Sequence, residues 1–247
     1  MPERLEQAAF LEQVAQTYRG DSSQDTEMRR RLFDIVGDWM RPGGAALEVG
    51  CSDGFMSELI SRRVEMLDIV EATRHFQDVV TSRSLPNARI HGILVEDFCP
   101  ERSYDYIFCT WVLTHVPDAQ QLLQRLRAML APQGLLFVAV PNARVLSRQL
   151  ALAMGLLDDL YGLTDNDRKH GHCRAYDRSL LNRELVLAGY DTLAQGAILL
   201  KPLADFQMDA LIDSGVFQRQ HLDGLMSLGH EYPDLCSAIY SVCRAQS

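Results

Sequence analysis

Dense basic clusters, paired cysteines and long apolar runs are missing from this chain of 247 residues. The net charge is −9, and lysines and arginines never gather into the kind of basic stretch that binds nucleic acid. The six cysteines include no CxxC pair, a pattern typical of reduced thiols in a cytosol. No apolar run is long enough to span a membrane, and the first residues lack the apolar core of a secretory signal. We therefore expect a cytoplasmic protein without a nucleic-acid or membrane partner.

The segment 47–54, with the sequence LEVGCSDG, is the most informative stretch that the chain does contain. It overlaps a short apolar run, Ala45–Val49, that is typical of a buried strand, and from Phe55 onward apolar residues recur at helical spacing. Gly50 and Gly54 permit the positive φ angles and the close backbone approach of a tight turn. The free N–H groups at the start of the helix would then face a ligand. The pattern predicts a strand-turn-helix junction that holds a nucleoside cofactor.

Strand-like and helix-like segments alternate along the chain after two predicted amphipathic helices over residues 5–18 and 26–40. The predicted strands, most of them followed by helix-like segments, are Ala45–Val49, Met66–Val70, Arg89–Leu94, Tyr104–Cys109, Leu135–Val140, Thr192–Leu200 and Leu235–Val242. Strands that are separated by helices pair in parallel through right-handed crossovers. We therefore predict an α/β, doubly wound sheet, in which ligands bind beyond the carboxyl ends of the strands.

Polar residues that follow those strands are candidate ligand contacts. Glu71 comes after the second strand, where a carboxylate can accept hydrogen bonds from both hydroxyls of a ribose. Alternatively, Glu71 is only a solvated charge at the end of a strand. Glu96 and Asp97 come after the third strand and offer acceptors for an adenine amino group, although adjacent loop acids are commonly only solvated. His115 lies among large apolar residues after the fourth strand.

Six ordered segments between residue 45 and about residue 190 carry a family resemblance: LEVGCSDG, IVEAT, YDYIFCTWVLTHVPD, LLQRLRAMLAPQG, LLFVAVPN and GHCRAYDRSLLNRELVLAGY. Together they resemble the class I, Rossmann-like S-adenosylmethionine-dependent methyltransferases that act on small molecules. The resemblance implies a seven-stranded, mostly parallel sheet with an antiparallel last strand, and S-adenosylmethionine as cofactor. It also implies the following contacts: Glu48, Gly50, Asp53 and Gly54 at the turn, Glu71 on ribose, Glu96 or Asp97 near adenine, and Thr110 or Trp111 beside the sulfonium.

The chain departs from the family pattern in two places. Ser52 stands where the family has its middle glycine, which gives ExGxSxG. The loop after the third strand lacks the usual Gly-Asp pair, because Gly92 is followed by Ile93.

Other nucleotide-binding classes fit the sequence less well. The dinucleotide fingerprint GxGxxG needs two glycines that flank one residue and a third for helix packing, whereas Gly50 and Gly54 are separated by three residues. This spacing disfavours a nicotinamide-dependent dehydrogenase. The missing GxxxxGK[ST] loop disfavours a kinase or nucleotidase. A catalytically silent protein that uses the same fold only to bind a partner stays an alternative.

Two histidines are candidates for the acceptor side. A general base is needed only if the acceptor is a poorly acidic hydroxyl or a protonated amine, and histidine suits that task near neutral pH. We interpret His115 as structural or orienting and His172 as a base or substrate contact, with attachment of the insertion to the core as the alternative role of His172. His170 and His172 form an HxH pair, but no further ligand is spaced to complete a site, so we expect no metal.

The resemblance divides the chain into an N-terminal helical lid, residues 1–44, and a methyltransferase domain, residues 45–247, with a helical insertion over residues 143–175. Tyr18, Met28 and Arg29 would close over the cofactor, with Arg29 near its carboxylate. Within the insertion, Val145–Tyr161 is strongly apolar at helical spacing. We expect most of its apolar side chains to pack on the core, and exposed ones to line an acceptor pocket or a homodimer contact.

The activity that follows from the resemblance is methyl transfer in a biosynthetic reaction. The acceptor is expected to be a hydroxyl of a sugar or secondary metabolite. The alternative is N-methylation of a small amine.

Overall fold

The computed structural model describes residues 2–17 and 22–246. The strands are β1 (Ala45–Val49), β2 (Met66–Val70), β3 (Ala88–His91), β4 (Tyr104–Thr110), β5 (Leu130–Pro141), β6 (Tyr190–Leu200) and β7 (Cys236–Ala245). The helices are α1 (Pro2–Thr17), α2 (Ser23–Gly37), α3 (Phe55–Ser61), α4 (Arg74–Ser82), α5 (Ala119–Met129), α6 (Leu146–Ala153), α7 (Asp165–Lys169), α8 (Arg178–Leu187), α9 (Asp205–Asp213) and α10 (Arg219–Glu231). Short 3-10 turns cover Val95–Asp97 and Pro233–Leu235.

The strands form one seven-stranded sheet in the order β3-β2-β1-β4-β5-β7-β6. Strands β1 to β5 pair in parallel, whereas β7 runs antiparallel to both of its neighbours, β5 and β6. The predicted fold class, a mostly parallel doubly wound sheet with an antiparallel last strand, is confirmed. The chain moves outward from β1 to β3 and returns to β4 on the other side of β1. This reversal is the switch point where such sheets open a ligand crevice.

Apolar side chains cover both faces of the sheet, as parallel strands flanked by helices require. On one face, α5 and α8 contribute Leu123 and Leu181 to the core. On the other face, α2, α3 and α10 contribute Leu32, Ile60 and Leu222. None of the described helices combines the length and the apolar character needed to cross a bilayer.

The insertion after β5 is less helical and less buried than predicted. Helix α6 ends at Ala153 instead of continuing toward Tyr161, because Gly155 adopts a φ of +70°. The N–H of Leu156 then bonds back to the carbonyl of Ala151, which closes the helix as a Schellman motif. No residue of α6 is buried, and Met154 is 62% exposed. The expectation that most apolar side chains of this stretch pack on the core is therefore wrong.

Two predicted strand boundaries also need correction. β3 ends at His91 rather than at Leu94, because the N–H of Ile93 folds back onto the carbonyl of His91 and leaves the sheet. β5 begins at Leu130 rather than at Leu135, and a register shift against β4 accommodates its first residues.

Candidate active site

The turn after β1 has three residues in the left-handed region: φ is +71° at Gly50, +47° at Ser52 and +73° at Gly54. A Cβ on Gly50 would lie 3.0 Å from Cγ2 of Val112, and a Cβ on Gly54 would lie 2.8 Å from the side chain of Arg83. Glycine is needed at both positions for conformation and for space. Ser52 adopts a similar backbone conformation at the position where the family has its middle glycine.

Glu71 lies directly against this turn, as the sequence predicts. Its side chain is buried, and one carboxylate oxygen, Oε2, accepts the N–H of Cys51 at 3.0 Å. The other oxygen, Oε1, accepts the N–H and the hydroxyl of Thr73, both at 2.8 Å. The thiol of Cys51 makes a fourth, longer contact with Oε2, at 3.6 Å, and together these bonds fix the carboxylate. Because a thiol is a weak donor, a ligand hydroxyl can compete with it for that oxygen.

Glu48 lies within the sheet, directly behind the turn, and is almost completely buried. Its Oε2 has no hydrogen-bond partner among the described residues, and neither has the hydroxyl of Ser52. Burial raises the pKa of Glu48 to about 8; the nearby carboxylates of Glu71 and Asp53 add to the shift, and the Ser57 hydroxyl opposes it.

The buried oxygen atoms at the turn fit a polar, partly cationic ligand. Buried polar atoms normally have partners, so unpaired acceptors that face one turn indicate a ligand that supplies donors. The fixed carboxylate of Glu71 adds acceptor capacity beside them, and the absent Cβ of Gly50 keeps the backbone accessible. This set of donors and acceptors matches the amino-acid and ribose groups of S-adenosylmethionine.

Arg29 and Asp53 bind each other at the start of α3. Nη1 of Arg29 is 2.6 Å from Oδ1 of Asp53, and the same oxygen accepts the N–H of Phe55 at 3.1 Å. The guanidinium also lies over the Phe55 ring, 5.2 Å from its centroid. Helix α2 is thus attached to the turn at the position predicted for Arg29. Met28, beside it, is buried in the core, and Tyr18 lies outside the described residues.

The remaining predicted cofactor contacts follow β3 and β4. Glu96 is half-buried and Asp97 is exposed within the 3-10 turn after β3. Thr110 is the buried last residue of β4. Trp111 has a φ of +59°, and its N–H donates to the carbonyl of Ala139 at 2.7 Å, which directs the chain away from the sheet.

The two candidate histidines are in contact with each other. The ring centroids of His115 and His172 are 4.9 Å apart in an edge-to-face arrangement. Nδ1 of His115 lies 3.2 Å from the carbonyl oxygen of Gly171, and Nδ1 of His172 lies 3.5 Å from Oδ1 of Asp167. Burial lowers the pKa of His115 to about 4, and the neighbouring His172 adds to that shift, so His115 is neutral at physiological pH.

Asp167 and Glu12 make contacts near the candidate site that the sequence interpretation missed. Asp167 belongs to a capping box with Thr164 at the start of α7, a pattern that is visible in the sequence as T-x-x-D. Glu12 of α1 accepts the backbone N–H groups of Arg74 and His75, at 2.6 and 3.2 Å, where α4 begins. No local sequence signal predicts that contact, because its partners lie more than sixty residues away.

Helix α1 comes close to His115 at Gly171. A Cβ on Gly171 would lie 3.4 Å from both Phe10 of α1 and Nδ1 of His115. The N-terminal segment and the insertion thus meet over the loop that follows β4. Within residues 2–17 and 22–246, no group of three or more histidine, cysteine or acidic side chains is arranged to hold a metal ion.

Curated relatives share about half of their length with this chain. The ubiquinone biosynthesis O-methyltransferase of Haemophilus ducreyi is 28% identical over 122 residues, which cover 46% of this chain and 51% of that protein. The enzyme of the same name from Actinobacillus pleuropneumoniae serotype 5b is 29% identical over 122 residues, which cover 46% of this chain and 52% of that protein.

Solved structures with the same fold cover nearly the whole chain. N-methyltransferase NodS from Bradyrhizobium japonicum WM9, in complex with S-adenosyl-L-homocysteine, superposes with a TM-score of 0.59 at 12% identity and covers 92% of this chain and 90% of that one. The [4+2]-cyclase SpnF superposes with a TM-score of 0.62 at 15% identity; the superposition covers 96% of this chain and 92% of SpnF. At these identities the likeness concerns the fold alone.

A family model described as a methyltransferase domain matches residues 23–195, well over half of the chain. This match runs from α2 through the turn, Glu71 and both histidines into β6. It confirms the resemblance to S-adenosylmethionine-dependent methyltransferases that the ordered sequence segments indicate. The chain belongs to the methyltransferase-domain family.

Proposed function

We propose that this chain binds S-adenosylmethionine at the turn after β1 and transfers its methyl group to a hydroxyl of a small-molecule acceptor. The observation that carries the proposal is the position of Val112. Its side chain lies against Gly50 of the turn, and its carbonyl accepts the N–H of His115 at 2.8 Å. One short loop therefore joins the cofactor turn to the histidine pair.

The cofactor side is built from the turn and from the ends of β2, β3 and β4. When bound there, the cofactor supplies an electrophilic methyl group on a sulfonium. Glu48 and Ser52 offer acceptors to its amino-acid portion, and Glu71 accepts from its ribose hydroxyls. The adenine contact falls to Glu96 or Asp97. Thr110 and Trp111 lie at the end of β4, nearest to the reacting centre.

The acceptor side is built from the histidine pair. His172 would take the proton of the acceptor hydroxyl, and the oxygen would bond to the methyl carbon as the carbon–sulfur bond breaks and its electron pair stays on sulfur. His115 stays neutral because it is largely buried, and it orients the acceptor by a hydrogen bond. A protonated amine would need the same base, and a hydroxyl acceptor is favoured because the curated relatives are named as O-methyltransferases.

The N-terminal helices act as a lid over this site. Arg29 binds Asp53 at the turn, Glu12 binds the start of α4, and Phe10 lies over Gly171 near the histidines. Closure of such a lid excludes water and holds the acceptor in line with the methyl group.

Substitution of His172 by glutamine tests the acceptor assignment. Turnover with methyl-labelled S-adenosylmethionine and a panel of phenols, catechols and sugar hydroxyls is expected to fall by about 100-fold or more, the usual contribution of a general base. The affinity for S-adenosylhomocysteine, measured by calorimetric titration, is expected to stay unchanged, because His172 lies on the acceptor side.

His170→Gln is the matched control, because His170 lies two residues away and is exposed. It is expected to behave like the unmodified chain. Equal losses of turnover and of cofactor affinity in His172→Gln, or no loss of turnover, would overturn the assignment of the base. Labelled product from amines alone would replace O-methylation by N-methylation.

A further inference from the structure

We propose that Asp167 is a positioning residue, which holds His172 so that Nε2 of the imidazole faces the acceptor; this inference rests on the proposed function of His172. Oδ1 of Asp167 lies 3.5 Å from Nδ1 of His172, and the backbone carbonyl of Asp167 accepts the N–H of His172 at 2.9 Å. Both the side chain and the backbone of one residue therefore contact the candidate base.

Asp167 is itself held in place from two sides. Its Oδ2 accepts the N–H and the hydroxyl of Thr164, both at 2.8 Å, and a bond from Nη1 of Arg148 at 3.2 Å. Burial alone would raise the pKa of Asp167, but hydrogen bonds from His172 and Thr164 and the charge of Arg148 outweigh it and hold the pKa well below its usual range. The residue is thus an anion with Oδ2 fully engaged and Oδ1 directed at the histidine.

This arrangement favours one tautomer of His172. A carboxylate can only accept a hydrogen bond, so the nearby Oδ1 of Asp167 stabilises the form with the proton on Nδ1 and the lone pair on Nε2. His115 is arranged in the same way, with its Nδ1 bonded to the carbonyl of Gly171. Both rings are therefore anchored through Nδ1 and present the opposite nitrogen.

A purely structural role for Asp167 would explain only half of these contacts. The capping box with Thr164 accounts for Oδ2, because it satisfies N–H groups at the start of α7. It does not require Oδ1 to lie beside an imidazole, nor the pairing of that imidazole with His115. A test must therefore detect the state of His172 and not only the stability of the fold.

Asp167→Asn is the informative variant, because its amide oxygen can still accept from Thr164 and preserve the cap. We expect ¹⁵N NMR of histidine-labelled protein to show His172 with the proton on Nδ1 in the unmodified chain and a mixture of tautomers in Asp167→Asn. We also expect turnover to fall by about 10-fold or more.

Asp165→Asn is the matched control, since Asp165 lies on the same helix and is exposed. It should leave the tautomer and turnover unchanged, and Asp167→Glu should recover part of the activity that Asp167→Asn loses. The proposal is overturned if Asp167→Asn has the same His172 tautomer as Asp165→Asn. Failure of the proposed base would appear separately, as unchanged turnover in His172→Gln with the tautomer result intact.

Discussion

Glu48 is the residue whose state depends most on the ligand. Its carboxyl group is buried, its Oε2 has no hydrogen-bond partner among the described residues, and two other carboxylates, of Glu71 and Asp53, lie close to it. A cation bound at the turn would supply the missing partner for its charge. The folded chain without ligand therefore favours the protonated form, and the cofactor complex favours the ionised form.

We predict that cofactor binding at pH 7 releases a proton from Glu48. Burial raises its pKa to about 8, so the group is mostly protonated at pH 7 and must ionise when a cation binds. The affinity for S-adenosylhomocysteine should rise with pH from 6 to 8, by at most about tenfold per pH unit, and should level off above pH 8. Calorimetric titration in buffers of different ionisation enthalpy measures the released proton directly. In Glu48→Gln the proton release and the pH dependence should both disappear, and their persistence would assign the linkage to another group.

Single residues were predictable where a backbone constraint or a strand end identifies them. Gly50 and Gly54 are visible because few residues tolerate their φ angles, and Glu71 because it directly follows a clear strand. Asp167 was not predictable, because its role depends on a contact with His172 that only the folded insertion creates.

Helix α2 is joined to α9 and to the end of β6 by charged and polar contacts. Gln24 donates to the carbonyl of Asp205 and to Oδ1 of Asp209, and Lys201 binds Asp205 at 2.6 Å. Asp25 lies within this group, and burial raises its pKa to about 6; Asp205 adds to the shift, whereas Lys201 and Arg29 oppose it. The attachment of the lid helix therefore depends on a carboxylate that is costly to ionise.

We predict that Asp25→Asn stabilises the protein at pH 8 but not at pH 4. A raised pKa means that the folded state holds the proton more tightly than the unfolded state, so this stability is present below about pH 4 and is lost as pH rises through about 6. Asparagine cannot ionise, so the variant does not lose this stability at high pH, and its Tm at pH 8 should be about 2–4 °C higher. Thermal unfolding at pH 4, 6 and 8 checks the prediction, with exposed Asp34→Asn of the same helix as control. An equal shift at all three pH values would contradict the role of ionisation.

Elements were predictable where hydrophobic periodicity meets clear turn residues. β1 and β2 match their predicted ranges, because each is a short buried run that ends at a turn. The apolar spacing of residues 145–161 was misleading, because Gly155 ends the helix and the apolar side chains stay outside the core. Exposed leucines on a lid cannot be distinguished from buried ones by spacing alone.

At the scale of the whole molecule, the sheet order brings distant parts of the sequence to one edge. The turn after β1, Glu71 after β2 and His115 after β4 meet there because the chain reverses direction next to β1. Helix α1 reaches the insertion at this edge, where Phe10 lies near Gly171. The fold class followed from the alternation of strands and helices, whereas the path of the insertion over the histidines depends on long-range contacts that a sequence pattern does not contain.

Titration of S-adenosylhomocysteine into the purified chain and two glycine variants tests the central claim most directly. Gly50 and Gly215 both have positive φ, +71° and +75°, so alanine at either costs about 1–2 kcal/mol of backbone strain. Only the Cβ at position 50 meets a neighbour, Val112 at 3.0 Å, whereas nothing lies within 4 Å at position 215. We predict one equivalent bound by the unmodified chain and by Gly215→Ala, and binding about tenfold weaker or worse in Gly50→Ala, which costs at least about 1.4 kcal/mol. Absence of binding to the unmodified chain, or equal affinity in the two variants, would contradict the account.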